Sequence, residues 1–454
     1  MKRPVLVTLL VLAPAVAFGL SEIELRQTKI QALQQQIMQT QARAMRDDVV
    51  LDASERFGKL VNTAILEAHP ELDKKLARST ELKDRMRRAM KKQDVQTMKL
   101  IAKELRPLTE ELAEFEAKAM EKHSGLAAAY DALQGLVYET MLKVDPDTEA
   151  NMIAVDRLQV EIDGLQGKLR KTPPGKAPKI TKARKGFRTK VFGPTDGKSA
   201  ATPPRGVLEM VRYPAPLGKN VAYVTPKKAK KGPAIVWIAG GFYWGIGPDA
   251  WLPSTRDNDQ SAAAFREAGV TLMRPALRGA HDNPGKSECM LGEVDDIIAA
   301  AKWLAKRSDV DPHRIYLGGH STGGTLALLT AAKSDMFRGV FAFGPIANAA
   351  DYGPICGQKK AMPAKEAYVR APIEFIEHVK SPTWIIEGAN GNRRAVLELL
   401  QYAPNNVFPF LVPKTDHFSV LRPASEVIAK KILADKGKKT KIELNAEAVM
   451  AAMK

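Results

Sequence analysis

The stretch "RIYLGGHSTGGTLALLTAAKS", residues 314–334, decides how the second half of the chain is read. Ile315–Leu317 is a short apolar run. Four glycines, Gly318, Gly319, Gly323 and Gly324, surround His320, Ser321 and Thr322. Leucines and alanines follow at once. An apolar run closed by glycine reads as a buried strand, and the small-residue run after it reads as a helix. Ser321 occupies a G-x-S-x-G pattern at the turn between them. The pattern alone says little: with Gly and Ser each at about 7% of residues, roughly one chain in seven of this length matches by chance. The surroundings carry the argument.

Working outward, the texture repeats. "GVLEMVRY" and "NVAYVTP" are short β-like runs; "AIVWIAGG", "VTLMRP", "GVFAFGP", "TWIIEG" and "VFPFLVP" read as strands. Between them "SAAAFREAG", "EVDDIIAAAKWLAKR" and a closing "ASEVIAKKILAD" read as helices. The second of these places Val294, Ile297, Ile298, Ala301 and Leu304 on one face. Apolar strands alternating with amphipathic helices predict an α/β fold with a mainly parallel sheet over residues 206–435.

The first half differs. Residues 20–170 contain few Pro or Gly and are rich in helix formers. Met98, Ile101, Leu105, Leu108, Leu112, Phe115 and Ala119 step by three and four, and Ile23, Ile30 and Ile37 recur at seven. This predicts an all-α, coiled-coil-like domain of long helices, broken or kinked at Pro70, Pro107, Gly125 and Pro146. Such a stripe packs a bundle core, or it offers a surface for a protein partner or self-association. Residues 171–205 are dense in Pro, Gly and Lys and read as an exposed, mobile basic linker. Residues 436–454 read as a basic tail. At the start, Lys2 and Arg3 precede an uncharged apolar run from Val5 to Phe18, with small residues for a cleavage site at its end, in Ala15-Val16-Ala17 and Ala17-Phe18-Gly19. Residues 1–19 therefore read as a signal peptide, too short to span a membrane, and the protein is expected to be exported, periplasmic or secreted. No other segment is apolar enough to span a membrane.

With 454 residues, more than one domain is expected, and 45% apolar content is ordinary for a folded protein. The net charge of +18 is uneven: residues 165–194 hold ten Lys or Arg and no Asp or Glu. That run can meet anions. It carries only Phe187 and Phe192 for stacking, and export argues against a nucleic-acid partner. Cys289 and Cys356 permit a disulfide in an exported protein, and the sequence leaves open whether they pair. Neither metal-ligand spacing nor a nucleotide motif is present, so no metal or cofactor is expected.

Strand, turn and helix make Ser321 a candidate nucleophile, exposed at a strained turn with a helix N-terminus behind it. A serine hydroxyl needs a base. His417, in "VPKTDHFSV" after the last strand, stands where the chain order Ser, acid, His puts it. His320, inside the turn, reads as structural. The acid is the open position. "TWIIEGANGNRR" has no Asp; Glu387 is the first candidate, with Asp351 or an Asn (Asn390, Asn392) as alternatives. A structural Glu387 would instead pair with Arg393 or Arg394. Asp416 adjoins the histidine and is poorly placed to hold its ring. An oxyanion hole needs N–H donors: Thr322, just after the serine, and Gly241 and Phe242 in "AGGFYWGIG". Tyr243 and Trp244 either wall the pocket or fill core.

"AGGF" (239–242), "RPALRGAHDNPG" (274–285), "GEVDDIIAAAKWLAKRSDVDPHRIYLGGHSTGG" (292–324) and "DHFS" (416–419) together resemble the catalytic domain of the prolyl-oligopeptidase family, within the α/β-hydrolase superfamily. The resemblance covers roughly residues 205–435. It implies an eight-stranded hydrolase sheet and hydrolysis of small peptides or esters through an acyl-enzyme, with Ser321 as nucleophile and His417 as base. Ala239 departs from the His or Tyr frequent before the oxyanion glycines. The usual Asp after the next-to-last strand is missing. About 150 helical residues stand where a β-propeller would be. The first expectation is an exported serine hydrolase, peptidase or esterase. The alternative is a catalytically weak or inactive α/β-hydrolase fold, serving as an envelope-associated interaction protein through its helical domain.

Overall fold

The computed structural model describes residues 21–92 and 94–453; the expected signal peptide lies outside the described residues. The described residues form two compact units, 31–152 and a second built from 21–30 with 153–453.

The first unit is helical. It holds most of α1 (Glu22–Ala44), all of α2 (Asp48–Ala68), α3 (Asp73–Lys91), α4 (Val95–Lys122) and α5 (Ser124–Val144), and the start of α6 (Thr148–Leu165). Asp47 and Asp94 begin α2 and α4 by accepting the Val49 and Thr97 N–H groups, as N-cap carboxylates do. Ile101, Leu112 and Ala119 of α4 are buried, with Leu105, Leu108 and Phe115 packed beside them, so the three-and-four stepping is core packing. Pro107 does not break α4; the helix runs through it, held by that apolar seam on either side. The compact unit ends at Met152 rather than near 170, because α6 from Ile153 onward buries Val160 in the second unit.

The second unit is an eight-stranded sheet in the order β1-β2-β4-β3-β5-β6-β7-β8. Its strands are β1 (Glu209–Ala215), β2 (Gly218–Val224), β3 (Gly232–Ile238), β4 (Thr271–Pro275), β5 (Val310–His320), β6 (Gly339–Phe343), β7 (Thr383–Gly388) and β8 (Val407–Val412). The β1–β2 and β2–β4 pairs are antiparallel; the others are parallel. Its helices are α7 (Ile180–Ala183), α8 (Ala263–Ala268), α9 (Glu293–Leu304), α10 (Thr322–Lys333), α11 (Ala364–Tyr368), α12 (Pro372–Phe375), α13 (Arg393–Leu400), α14 (Leu421–Ala434) and α15 (Ala446–Ala451).

Strand alternation divides the core. Ala234, Val236, Ile315, Leu317, Val340 and Ala342 face α9, α10 and α13. Ile235, Trp237, Tyr316, Phe341 and Trp384 face α8, α14 and α15. Both faces are covered, which is why the strands read as continuous apolar runs. This is the α/β-hydrolase architecture that the resemblance implied.

Two stretches differ from expectation. Residues 171–205 are bound to the sheet domain. Ile180 and Val191 are buried in its core. Lys171 N–H donates to Glu374 at 2.6 Å, Lys190 N–H to Glu366 at 2.7 Å, and Arg184 Nε to the Val369 carbonyl at 2.9 Å. Composition showed the lysines and prolines; the partner carboxylates lie about 200 residues away, where local composition cannot reveal them. The C-terminal stretch likewise buries Ile442, Leu444 and Val449. Among the described residues no helix is long and apolar enough to cross a membrane.

Candidate active site

The C-terminal ends of parallel strands expose loops on one edge of such a sheet, where sites are built. β5, central in the sheet, ends at His320. Ser321 follows with φ 57° and ψ −119°, a conformation outside the relaxed regions for a residue with a side chain. The flanking glycines make the turn fit: a Cβ on Gly319 would strike the Gly323 carbonyl, and one on Gly323 the Ile238 carbonyl of β3. Ser321 N–H donates to Phe343 O of β6 at 2.8 Å. α10 then begins at Thr322 and points its N-terminus at the serine.

His417 lies in the loop between β8 and α14. Its Nδ1–H donates to Glu387 Oε1 at 2.8 Å. Glu387, near the end of β7, is fully buried, while the His417 side chain is 18% exposed. The same Oε1 accepts Asn392 N–H at 2.5 Å; Oε2 has no partner among the described residues. Gly344, with φ 52°, lies directly under the His417 ring; any side chain there would displace it. Phe343, which bonds Ser321, precedes Gly344. The serine and the imidazole therefore rest on one backbone segment.

The remaining acid candidates sit elsewhere. Asp351 lies in a short helical turn, residues 349–352, where burial raises its carboxyl against the lowering effect of Arg394. Asp416 Oδ1 accepts the Phe418 and Ser419 N–H groups at 2.8 Å each and the Ser419 hydroxyl at 2.9 Å, which organises the loop. Asn392 Nδ2 is 3.5 Å from His417 Nδ1, too long to compete with the carboxylate. Arg393 and Arg394 pair with Asp156 and Asp163, not with Glu387.

In the upstream loop, a Cβ on Gly240 would come within 3.2 Å of the Ser321 Cβ, so the glycine leaves that approach open. Among the described residues, the backbone N–H groups of Gly241, Phe242 and Thr322 donate no hydrogen bond. Thr322 Oγ1 instead holds the loop by donating to the Gly241 carbonyl, and Trp244 Nε1 donates to that hydroxyl at 3.2 Å. Trp244 is thus core, and Tyr243 bonds the His281 N–H at 2.8 Å. Phe242 meets Tyr352 edge-on at 5.1 Å. A cavity of about 690 Å³ adjoins the acid turn, lined by Ile346, Asn348, Asp351, Asn392, Arg393 and Arg394 among others. Asp156 and Asp163 of α6 complete its wall. Sequence reasoning missed both, since nothing local marks a helix residue as the wall of a distant site.

Residues 262–403 match the model of the prolyl oligopeptidase family, Peptidase_S9. The chain therefore carries a domain of that family there. The matched span includes Ser321 and Glu387; Gly241 and His417 lie outside it and rest on geometry. Two uncharacterized proteins of Mycobacterium tuberculosis, from strains CDC 1551 / Oshkosh and ATCC 25618 / H37Rv, are each 33% identical over 104 residues. The similarity covers 21% of this chain and 37% of each relative, so the chain spans little more than a third of the length of the curated relatives it matches. Among solved structures, uncomplexed acylaminoacyl peptidase of Pyrococcus horikoshii is similar with a TM-score of 0.41 at 17% identity. That likeness covers 54% of this chain and 44% of the peptidase.

Proposed function

We propose that this chain is an exported serine hydrolase, with peptides as the first substrate class and esters as the second. The observation that carries the reading is the buried Glu387 carboxylate on His417 Nδ1 at 2.8 Å, beside a serine held at a strained strand-to-helix turn. In this reading Ser321 Oγ attacks the scissile carbonyl while His417 Nε2 takes its proton. Glu387 fixes the tautomer and balances the imidazolium. The N–H groups of Thr322, Gly241 and Phe242 receive the developing oxyanion. His417 then returns the proton to the leaving amine or alcohol, and water cleaves the acyl-enzyme by the same steps. The family match over 262–403 supports this chemistry, and the free N–H groups fit it.

Export is proposed from the positive, apolar start of the chain. The Cys289–Cys356 disulfide supports it, since such bonds persist in oxidising compartments. The helical unit is proposed to serve placement or partner binding. The competing reading of an inactive fold rested on the absence of an acid in the usual turn; the Glu387–His417 contact speaks against it.

A fluorophosphonate probe tests the reading. The wild-type protein is expected to label at Ser321 and Ser321→Ala to remain unlabelled, and His417→Ala to lose turnover of a p-nitrophenyl ester. An unlabelled wild type, or equal labelling of Ser321→Ala, overturns it. A panel of blocked and free peptides beside esters then separates peptidase from esterase.

A further inference from the structure

His320 has no part in the chemistry described above, yet it adjoins the serine, the histidine and the oxyanion loop. It is the last residue of β5 and the covalent neighbour of Ser321. It is 2% exposed. Its Nε2–H donates to the His417 carbonyl at 3.0 Å. The two imidazole rings lie 4.5 Å apart between centroids, tilted by 42°, and Phe418 closes on both rings at 5.5 and 5.1 Å. On the other side Nδ1 is buried with no hydrogen-bond partner, facing Gly240 of the oxyanion loop. Burial, with a smaller contribution from neighbouring His417, pushes the His320 ring down to about 3, so it stays neutral at working pH.

A residue that served only to fill this space would be better as phenylalanine, because a buried acceptor without a partner is unfavourable. Histidine supplies what phenylalanine lacks, an N–H aimed at the backbone of the residue whose ring must be held. We infer that His320 is a positioning residue for the proposed base: it clamps the His417 carbonyl and stacks on its ring, so that the imidazole keeps its place between Glu387 and Ser321. This rests on the reading of His417 as the base. A neutral partner is required, since a second cation 4.5 Å away would oppose formation of the His417 imidazolium.

The titratable groups facing His417 are Glu387 from β7 and His320 from β5. Asp416 adjoins it in the chain, its carboxylate engaged by Phe418 and Ser419. With His320→Phe the ring remains and the donor is lost. With His320→Gln a donor reaches the same carbonyl and the ring is lost. We expect His320→Phe to lower kcat by about 10- to 100-fold with KM unmoved, the scale of a displaced catalytic group. Its melting temperature should hold or rise. His320→Gln should recover part of the rate.

The Nδ1–H resonance of His417, followed by NMR in full-length protein carrying labelled histidine, reports its bond to Glu387 and needs no turnover. It still reads the clamp if fluorophosphonate labelling fails and the hydrolase reading falls. A His417 Nδ1–H resonance unmoved in both variants overturns the inference, as does a His320→Phe enzyme within about twofold of wild type.

Discussion

Replacing Glu387 with glutamine removes the charge of the proposed acid and little else. Two N–H groups, from His417 Nδ1 at 2.8 Å and Asn392 at 2.5 Å, converge on Oε1, while Oε2 has no partner among the described residues. A glutamine whose amide oxygen takes the Oε1 place keeps both hydrogen bonds, and its nitrogen falls where no bond existed. The imidazole should stay oriented while its counter-charge disappears. An adjacent opposite charge shifts a titrating group by about 1–3 pKa units, each about 1.4 kcal/mol, so the imidazolium loses about 1.4–4 kcal/mol. That corresponds to a loss of about 10- to 1000-fold in kcat, with KM little changed. The assay is p-nitrophenyl ester turnover, with kcat and KM measured separately. The fold should not suffer, because a buried carboxylate with one unpartnered oxygen is exchanged for a neutral group. Wild-type rates would refute Glu387 as the acid. Should Asp351→Asn show the loss instead, the role passes to Asp351.

The remaining predictions concern stability. The Cys289–Cys356 bond closes a loop of 67 residues that contains Ser321, so reduction should destabilise the fold by about 4 kcal/mol in the chain-entropy account. Urea unfolding with and without reductant measures this, and coincident midpoints would exclude it. His320 titrates near 6.5 when unfolded and at about 3 when folded. Below pH 6.5 the unfolded chain therefore binds a proton that the native state refuses, and stability falls with pH down to about 3. The slope should be up to about 1.4 kcal/mol per pH unit. The wild-type curve should lose this component against His320→Phe over that window; parallel curves would refute it.

The sheet was legible because both its faces are buried. Strands such as "AIVWI" and "GVFAF" must be apolar at every position when Ala234 and Val236 face one helical layer and Ile235 and Trp237 the other. The helices α9 and α14 were legible for the complementary reason, a regular apolar stripe, while α10, buried on every side, was read from the small-residue run that follows the glycine turn. What failed was inference from composition alone. The Lys- and Pro-rich stretch at 171–205 holds its place through single anchors: Ile180 and Val191 enter the core, and Lys171 N–H, Lys190 N–H and Arg184 bond Glu374, Glu366 and Val369, which lie far along the chain in and between α11 and α12. Helix α13 was also missed: "RRAVLELL" is eight residues long, too short for a periodic stripe to stand out.

The acid shows how a site half-legible in sequence becomes legible once the backbone is considered. An Asp in the turn after β7 would approach the histidine from the loop. Here the carboxylate comes from the strand itself, and the longer glutamate side chain must run under that turn. Space for it has to be made in the turn, and glycine makes it. A Cβ on Gly391 would collide with Glu387 Oε1, and a Cβ on Gly388 with the carbonyls of Thr415 and Asp416 that precede His417. In "EGANG" the two glycines frame the route from Glu387 to His417, one admitting the carboxylate and the other admitting the histidine loop. Asn392 adds the N–H that fixes Oε1. Glu387 in this position thus depends on Gly388 and Gly391. A search for an aspartate passes over the arrangement, whereas a search for a carboxylate followed by closely spaced glycines at a strand end would find it.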